Sequence, residues 1–257
     1  MKLLYWLNEW LSLSEEEQQI RLPLSGYSLV DNVYIRYQLT DINKPLLFLF
    51  SPSGTNVKEQ DLEPNFAPWG YNFALQQQVN VIAFQHLEVS NWFRSYALTD
   101  FLEQLTTLLT PFKCRLGYGL SRGGFAVSAF ANLLQLDYVL LFYPVSTKNT
   151  HLVPWDTRSS TELAQQFNWD SHYHDKDLGK AQGYIIYDPE NEIDRLHAAR
   201  YPELAHMQVP GMGHGVNTKE LDKLDFYNQV AAQFVHHQTI DIAQFNELAT
   251  IRFLKED

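Results

Sequence analysis

Gly119-Leu120-Ser121-Arg122-Gly123 stands between a strand-like stretch and a run with helical spacing. Before it, Cys114-Arg-Leu-Gly-Tyr118 is short and partly apolar. After it, Gly123-Gly-Phe-Ala-Val-Ser-Ala-Phe-Ala-Asn-Leu-Leu134 places apolar residues at helical intervals. G-x-S-x-G alone recurs by chance, and an ordinary glycine-rich turn with an idle serine competes with any sharper reading. Strand, tight turn with serine at the tip, then helix is the context a nucleophile elbow requires. A side chain at Gly119 or Gly123 would strike the adjoining strand or helix, and glycine removes that Cβ. Gly124 adds room for the helix to pack. Ser121 Oγ is thereby lifted above the sheet beside a helix N-terminus, where free N–H groups favour negative charge.

A chain of 257 residues can bury a sizeable core. No repeat, low-complexity segment or linker divides it, so 1–257 reads as a single domain. The net charge of −11 speaks against nucleic acid as a main partner, because phosphate binding needs clustered Lys and Arg. A lone cysteine, Cys114, permits no internal disulfide and suits a reducing compartment. It reads as a packing residue rather than a catalytic thiol. No apolar run reaches about 18 residues, so no transmembrane segment is expected. The N-terminal stretch is broken by Asn8 and Glu9 and has no small-residue cleavage site. A signal peptide is therefore not expected, and a cytoplasmic location is. Leu3, Leu4, Leu7, Trp10 and Leu11 share one helical face. That face suits packing on the domain or in a dimer, with a membrane or partner surface as the sharper alternative; oligomeric state stays open.

Strands and helices alternate along the chain. Ser12 or Ser14 before three glutamates predicts a helix start. Strands are expected at 27–30, 33–39, 45–50, 79–84, 137–144, 183–187 and 206–209. Helical spacing covers 66–78, 95–109 and 123–134, a short stretch to about Leu204, and then 218–236 and 241–254. This alternation predicts an α/β fold with a mainly parallel sheet covered on both faces. Residues 145–182 are polar and aromatic, with a helical pattern only near 160–167, and read as a small cap. His172, His174 and Asp175 could suggest a metal, but alternating histidines in a polar loop are expected at the surface, so none is assigned. Trp92 or Arg94, in the loop after the strand at 79–84, could line a pocket or pack at the surface.

A serine nucleophile needs a base, and the base needs an acid to hold its tautomer. His214, in Pro210-Gly-Met-Gly-His214-Gly215 after the last strand, is the best placed of nine histidines. His86 ranks second. The acid is expected after the strand ending at Tyr187, at Asp194 in preference to Asp188. The ordinary role of Asp194 would be a helix N-cap. Two N–H groups must meet a developing oxyanion. One should be the amide of Arg122. The other should come from Ser51-Pro-Ser53-Gly54-Thr55, with Thr55 favoured and Ser53 in reserve, although that composition also suits a plain turn.

In its elbow, its post-strand loop at Ser53-Gly54, its acid loop at 188–194 and its Pro-Gly-Met-Gly-His214 turn, the chain resembles the α/β-hydrolase superfamily from about Pro45 to His236. The resemblance implies a three-layer sandwich and two-step acyl transfer through an acyl-serine. Three functions follow as expectations. The first is a carboxylic-ester hydrolase acting on a small molecule without a cofactor. The second is an O-acetyltransferase that takes acetyl-CoA as co-substrate and modifies a bacterial capsular or surface glycan. The third is a hydrolase-fold binding or assembly protein without activity.

Overall fold

The computed structural model of the chain describes residues 2–63, 65–87, 92–159, 173–215 and 221–253. Eight strands form one sheet in the order β1-β2-β4-β3-β5-β6-β7-β8. They are β1 (Leu24–Val30), β2 (Val33–Leu39), β3 (Leu46–Phe50), β4 (Asn80–His86), β5 (Arg115–Leu120), β6 (Tyr138–Phe142), β7 (Gln182–Tyr187) and β8 (Ala205–Gln208). β1 and β2 make a tight hairpin in which Val30 faces Val33. β2 is antiparallel to β4. Every pairing from β4 through β8 is parallel.

Side chains alternate between the two faces of a strand, and β3 shows where each face leads. Leu46, Phe48 and Phe50 join one core with α1 (Lys2–Leu11) and α4 (Tyr96–Leu108). Leu47 and Leu49 join a second core with α3 (Tyr71–Gln76), α7 (Leu221–His237) and α8 (Ile242–Phe253). α2 (Glu15–Ile20) follows α1, α5 (Arg122–Phe130) follows β5, and α6 (Glu192–Ala198) follows β7. All five residues of β3 and all six of β5 are buried, as strands covered on both sides must be.

The N-terminal apolar face is used inside the molecule: Leu3, Leu4, Leu7 and Trp10 are buried in the first core. Ser14 starts α2 with a reciprocal capping box to Glu17. The helix expected over 66–78 is shorter, Tyr71–Gln76. Pro68 precedes it, and Gly70 has φ +75°, a left-handed conformation that blocks earlier helical turns. Trp69 and Gly70 thereby become loop, and that loop walls the cavity described below. Of the expected cap, the helical stretch 160–167 and His172 lie outside the described residues. Its N-terminal flank is buried at Ser146, Thr147, Lys148 and Asn149. Asp175 takes a hydrogen bond from Arg200 Nη2 at 2.6 Å. No helix among the described residues is long and apolar enough to cross a membrane.

Candidate active site

The elbow is forced by three glycines. A Cβ on Gly119 would lie 2.5 Å from the Gly123 carbonyl carbon. One on Gly123 would lie 2.1 Å from the Phe50 carbonyl oxygen on β3, and one on Gly124 2.8 Å from Pro144 Cβ. β5 therefore turns directly into α5 with Ser121 at φ +49°, ψ −116°. Such a conformation costs about 1–3 kcal/mol in a residue other than glycine and persists only when its surroundings impose it. They do so here: Ser121 N–H donates to Phe142 O at 3.0 Å, and Ser121 O accepts from Phe125 N–H at 3.1 Å.

Ser121 Oγ lies 3.0 Å from His214 Nε2, and His214 Nδ1 lies 2.7 Å from Asp194 Oδ1. A carboxylate only accepts, so the shorter contact assigns the proton to Nδ1, and Nε2 is left to accept from the serine; Arg158 Nη1 also approaches Nδ1, at 3.3 Å. His214 follows β8 in a turn with Gly211, Gly213 and Gly215 at φ +77°, +67° and +98°. The imidazole leans on the Tyr143 ring, with centroids 4.9 Å apart.

Of the two aspartates that follow β7, Asp194 meets the imidazole. Asn191 takes the N-cap role, accepting from Asp194 N–H at 3.2 Å. Asp194 therefore lies in the first turn of α6 with Oδ1 on His214 and Arg158. The Asp194 side chain is fully buried, and Oδ2 has no hydrogen-bond partner among the described residues. Asp188 holds the histidine turn instead, accepting from Gly213 N–H at 2.8 Å and Glu190 N–H at 2.9 Å. His86 is a core residue, fully buried, with its ring 4.7 Å from that of Phe93.

Arg122 adds something its amide position did not announce. Its guanidinium is buried and donates to Pro52 O at 2.7 Å and Asn56 Oδ1 at 2.8 Å. Burial pulls its pKa down to about 10, which leaves it charged at neutral pH. The residue after the serine thus clamps the 51–56 loop to the elbow. Gln85 on β4 fastens the same loop, donating to Thr55 O at 2.6 Å and accepting from Trp69 N–H at 3.2 Å.

These pieces enclose a cavity of about 610 Å³. Ser53, Gly54 and Thr55 line one side of it, Ser121 and His214 its floor, and Trp69, Phe73, Tyr118, Tyr143 and Tyr227 its aromatic walls. Apart from His214, the described lining contains no Lys, Arg, Asp or Glu. Trp92 lies elsewhere, edge-on to Phe125 at 5.8 Å. Arg94 lines a separate cavity of about 460 Å³ with Tyr96 and Tyr173. At Cys114, burial and then the Asp137 charge raise the thiol pKa, which holds it protonated.

Sequence reasoning missed a second polar cluster behind the first. His197 Nε2 donates to Asp156 Oδ2 at 2.9 Å, and its Nδ1 lies 2.9 Å from Ser146 Oγ. Asp156 also accepts from Lys148 Nζ at 2.8 Å and from Arg158 Nε at 3.1 Å. Burial pushes the Asp156 carboxyl up, but hydrogen bonds from His197, Arg158 and Lys148 outweigh it and hold the group well below the usual carboxylate range. Arg158 Nη1 reaches across to Asp194 Oδ1 at 3.1 Å, so the two clusters touch. No periodicity marks these residues. The only sequence signal is the unusual polarity of 145–158, between a buried strand and a helical stretch.

No protein-family model matches the chain, and no curated protein is similar to it in sequence. Solved structures do match. A hyperthermophilic esterase from the archaeon Pyrobaculum calidifontis is 12% identical, with a TM-score of 0.53 over 93% of this chain and 92% of that one. The capsule O-acetyltransferase of Neisseria meningitidis serogroup A is 13% identical, with a TM-score of 0.53 over 82% and 94%. A hormone-sensitive lipase from a metagenome library is 13% identical, with a TM-score of 0.51 over 91% and 96%. At such identities the likeness concerns architecture, and with the strand order and the turn at Ser121 it leads to one statement: the chain has the α/β-hydrolase fold.

Proposed function

We propose that the chain is a serine-dependent acyl-transfer enzyme and acts as a carboxylic-ester hydrolase on a small-molecule substrate. The observation that carries this reading is the series Ser121–His214–Asp194, hydrogen-bonded at 3.0 and 2.7 Å and open to a cavity. His214 Nε2 takes the hydroxyl proton as Ser121 Oγ attacks the substrate carbonyl carbon. Asp194 fixes the ring and balances the imidazolium charge. The amides of Arg122 and Thr55, with Ser53 in reserve, are the proposed donors to the oxyanion. His214 then gives its proton to the leaving oxygen, the C–O bond breaks, and the acyl group stays on Ser121. Water attacks that acyl carbon, passing a proton to His214, and Ser121 departs with it. No cofactor enters these steps.

An alcohol in place of water would make the same residues a transferase. The likeness to a capsule O-acetyltransferase supports that second reading, with acetyl-CoA as co-substrate and a glycan hydroxyl as acceptor. The cavity favours the first reading. Its described lining contains no Lys, Arg, Asp or Glu, which suits a neutral acyl group among aromatic rings. Phosphates such as those of acetyl-CoA are held by Arg and Lys.

A fluorophosphonate probe, followed by intact mass, tests the serine. One adduct is expected on the native chain, none on Ser121→Ala, and greatly slowed labelling on His214→Ala. Failure of well-folded native chain to label would overturn the proposal and favour a binding or assembly role. Turnover of p-nitrophenyl acetate with and without an added alcohol then separates hydrolysis from transfer.

A further inference from the structure

We infer that Arg158 is a positioning residue for the acid–base pair. Its guanidinium, anchored on the buried Asp156, holds the Asp194 carboxylate in place and aimed at His214. This rests on the proposed roles of Ser121, His214 and Asp194 but goes beyond them.

Asp194 has a problem that its contact with His214 does not solve. Its side chain is fully buried. Oδ2 has no hydrogen-bond partner among the described residues, and both of its described contacts converge on Oδ1. A buried charged group is costly unless it is paired and hydrogen-bonded. Arg158, at 3.1 Å, is the cation in contact with this carboxylate. An oxygen with two lone pairs can accept from Nδ1–H and from Nη1–H together.

The anchor decides the direction. Arg158 Nε and Nη2, one edge of the planar fork, face Asp156 Oδ1 at 3.1 Å and Oδ2 at 3.4 Å. That leaves Nη1, on the other side, to face Asp194 Oδ1 at 3.1 Å and, at 3.3 Å, the Nδ1 edge of the His214 ring. Asp156 cannot follow Arg158 outward, because Lys148 and His197 grip its Oδ2 at 2.8 and 2.9 Å. One guanidinium thus spans two fixed carboxylates, which the point charge of a lysine cannot do with the same geometry.

Arg158 does not line the cavity beside Ser121. Its loss should therefore slow the chemistry and leave probe binding alone. Its side chain is 31% exposed, so substitution there is compatible with folding. The experiment measures fluorophosphonate inactivation of native chain, Arg158→Lys and Arg158→Met, each shown folded by circular dichroism, and resolves the maximal rate from the half-saturating probe concentration. The expected maximal rate falls about tenfold or more in Arg158→Met, the loss of a charged hydrogen bond in the reacting pair. Half-saturation stays unchanged, and Arg158→Lys recovers part of the rate because it restores charge without the fork. A folded Arg158→Met that reacts like the native chain overturns the inference. So does a loss carried by half-saturation, which would make Arg158 a binding residue. A lysine variant no better than the methionine variant overturns it too. Failure of the native chain itself to label would instead sink the serine mechanism, so the two failures are distinguishable.

Discussion

Ser121, His214 and Asp194 form one hydrogen-bonded series, and Ser146, His197 and Asp156 form another a few residues behind it. Residue types and distances match. Ser121 Oγ is 3.0 Å from its histidine and Ser146 Oγ is 2.9 Å from its own. The wiring differs. His214 meets its serine through Nε2, whereas His197 meets its serine through Nδ1. Nδ1 of His197 also accepts from the Ser146 backbone N–H at 3.1 Å, and Arg200 Nη1 donates to Ser146 Oγ at 2.9 Å. Ser146 and His197 are fully buried, while the His214 side chain is 26% exposed and lines a cavity. Ser121 precedes a helix N-terminus with φ forced positive; Ser146 sits in a loop whose polar groups partner one another. The two sets therefore differ in wiring and in access: the first opens on a cavity, and the second is buried.

The strongest way to break that contrast is to exchange the serines for alanine one at a time. Ser121→Ala should reduce fluorophosphonate labelling by about 10⁴ or more, as removal of a triad nucleophile does. Ser146→Ala should label within about twofold of the native chain, because Ser146 contributes no atom to the cavity. Labelling that survived Ser121→Ala and vanished in Ser146→Ala would reverse the assignment of the two clusters.

What the sequence disclosed follows the same division. The elbow was legible because its demand is local and steric. Gly119 and Gly123 leave no space for a Cβ, and the strand and helix flanking them have distinct periods. The parallel sheet was legible from the alternation of buried strands and helices. The partner of His214 was only narrowed, with Asp194 preferred to Asp188: both follow β7, and the capping of α6 by Asn191, which leaves Asp194 to face the ring, has no sequence signal of its own. Asp156, Arg158 and His197 carried no usable signal. The contacts of Arg158 with Asp194 and His214, and of His197 with Asp156, join residues 36 to 56 apart in sequence, and no spacing rule reaches that far. The overlong helix at 66–78 failed for a local reason, because apolar spacing was read through Pro68 and Gly70.

Stability and activity should part company at the two aspartates. Asp156→Ala strips the partner from Lys148, whose side chain is only 6% exposed, and removes the acceptor of buried His197. Breaking a buried ion pair on one side typically costs about 3–5 kcal/mol, and urea denaturation should register a loss of that order. Asp194→Ala has part-exposed partners in His214 and Arg158, with side chains 26% and 31% exposed. Its unfolding free energy should fall by clearly less, while its labelling rate falls more than that of any folded Asp156 variant. Equal stability losses would show that both clusters are structural to the same degree.

The smallest effect is a slope in pH. Burial lowers the pKa of His197, and the hydrogen bond and charge of Asp156 only partly oppose it. An unfolded histidine titrates near about 6.5, so below that pH the unfolded chain gains a proton that the folded chain resists. The contribution of neutral His197 is therefore present above about pH 6.5 and is lost as pH falls from there toward its lower folded value. Asp156 acts in a more acidic window. Its depressed carboxyl contributes above the unfolded value of about 3.9 and loses that contribution as pH falls further. His197→Gln keeps a donor for Asp156 and an acceptor for Ser146 but cannot titrate. Between about pH 7.5 and 5.5 its unfolding free energy should decline less than that of the native chain. The gap can grow by at most about 1.4 kcal/mol per pH unit below 6.5. Labelling of Ser121 at about pH 7.5 should stay within twofold of native. Parallel declines would mean that the folded His197 ring accepts a proton as readily as the unfolded one. The sealed cluster would then be open to protons, and its contrast with the His214 cluster would rest on wiring alone.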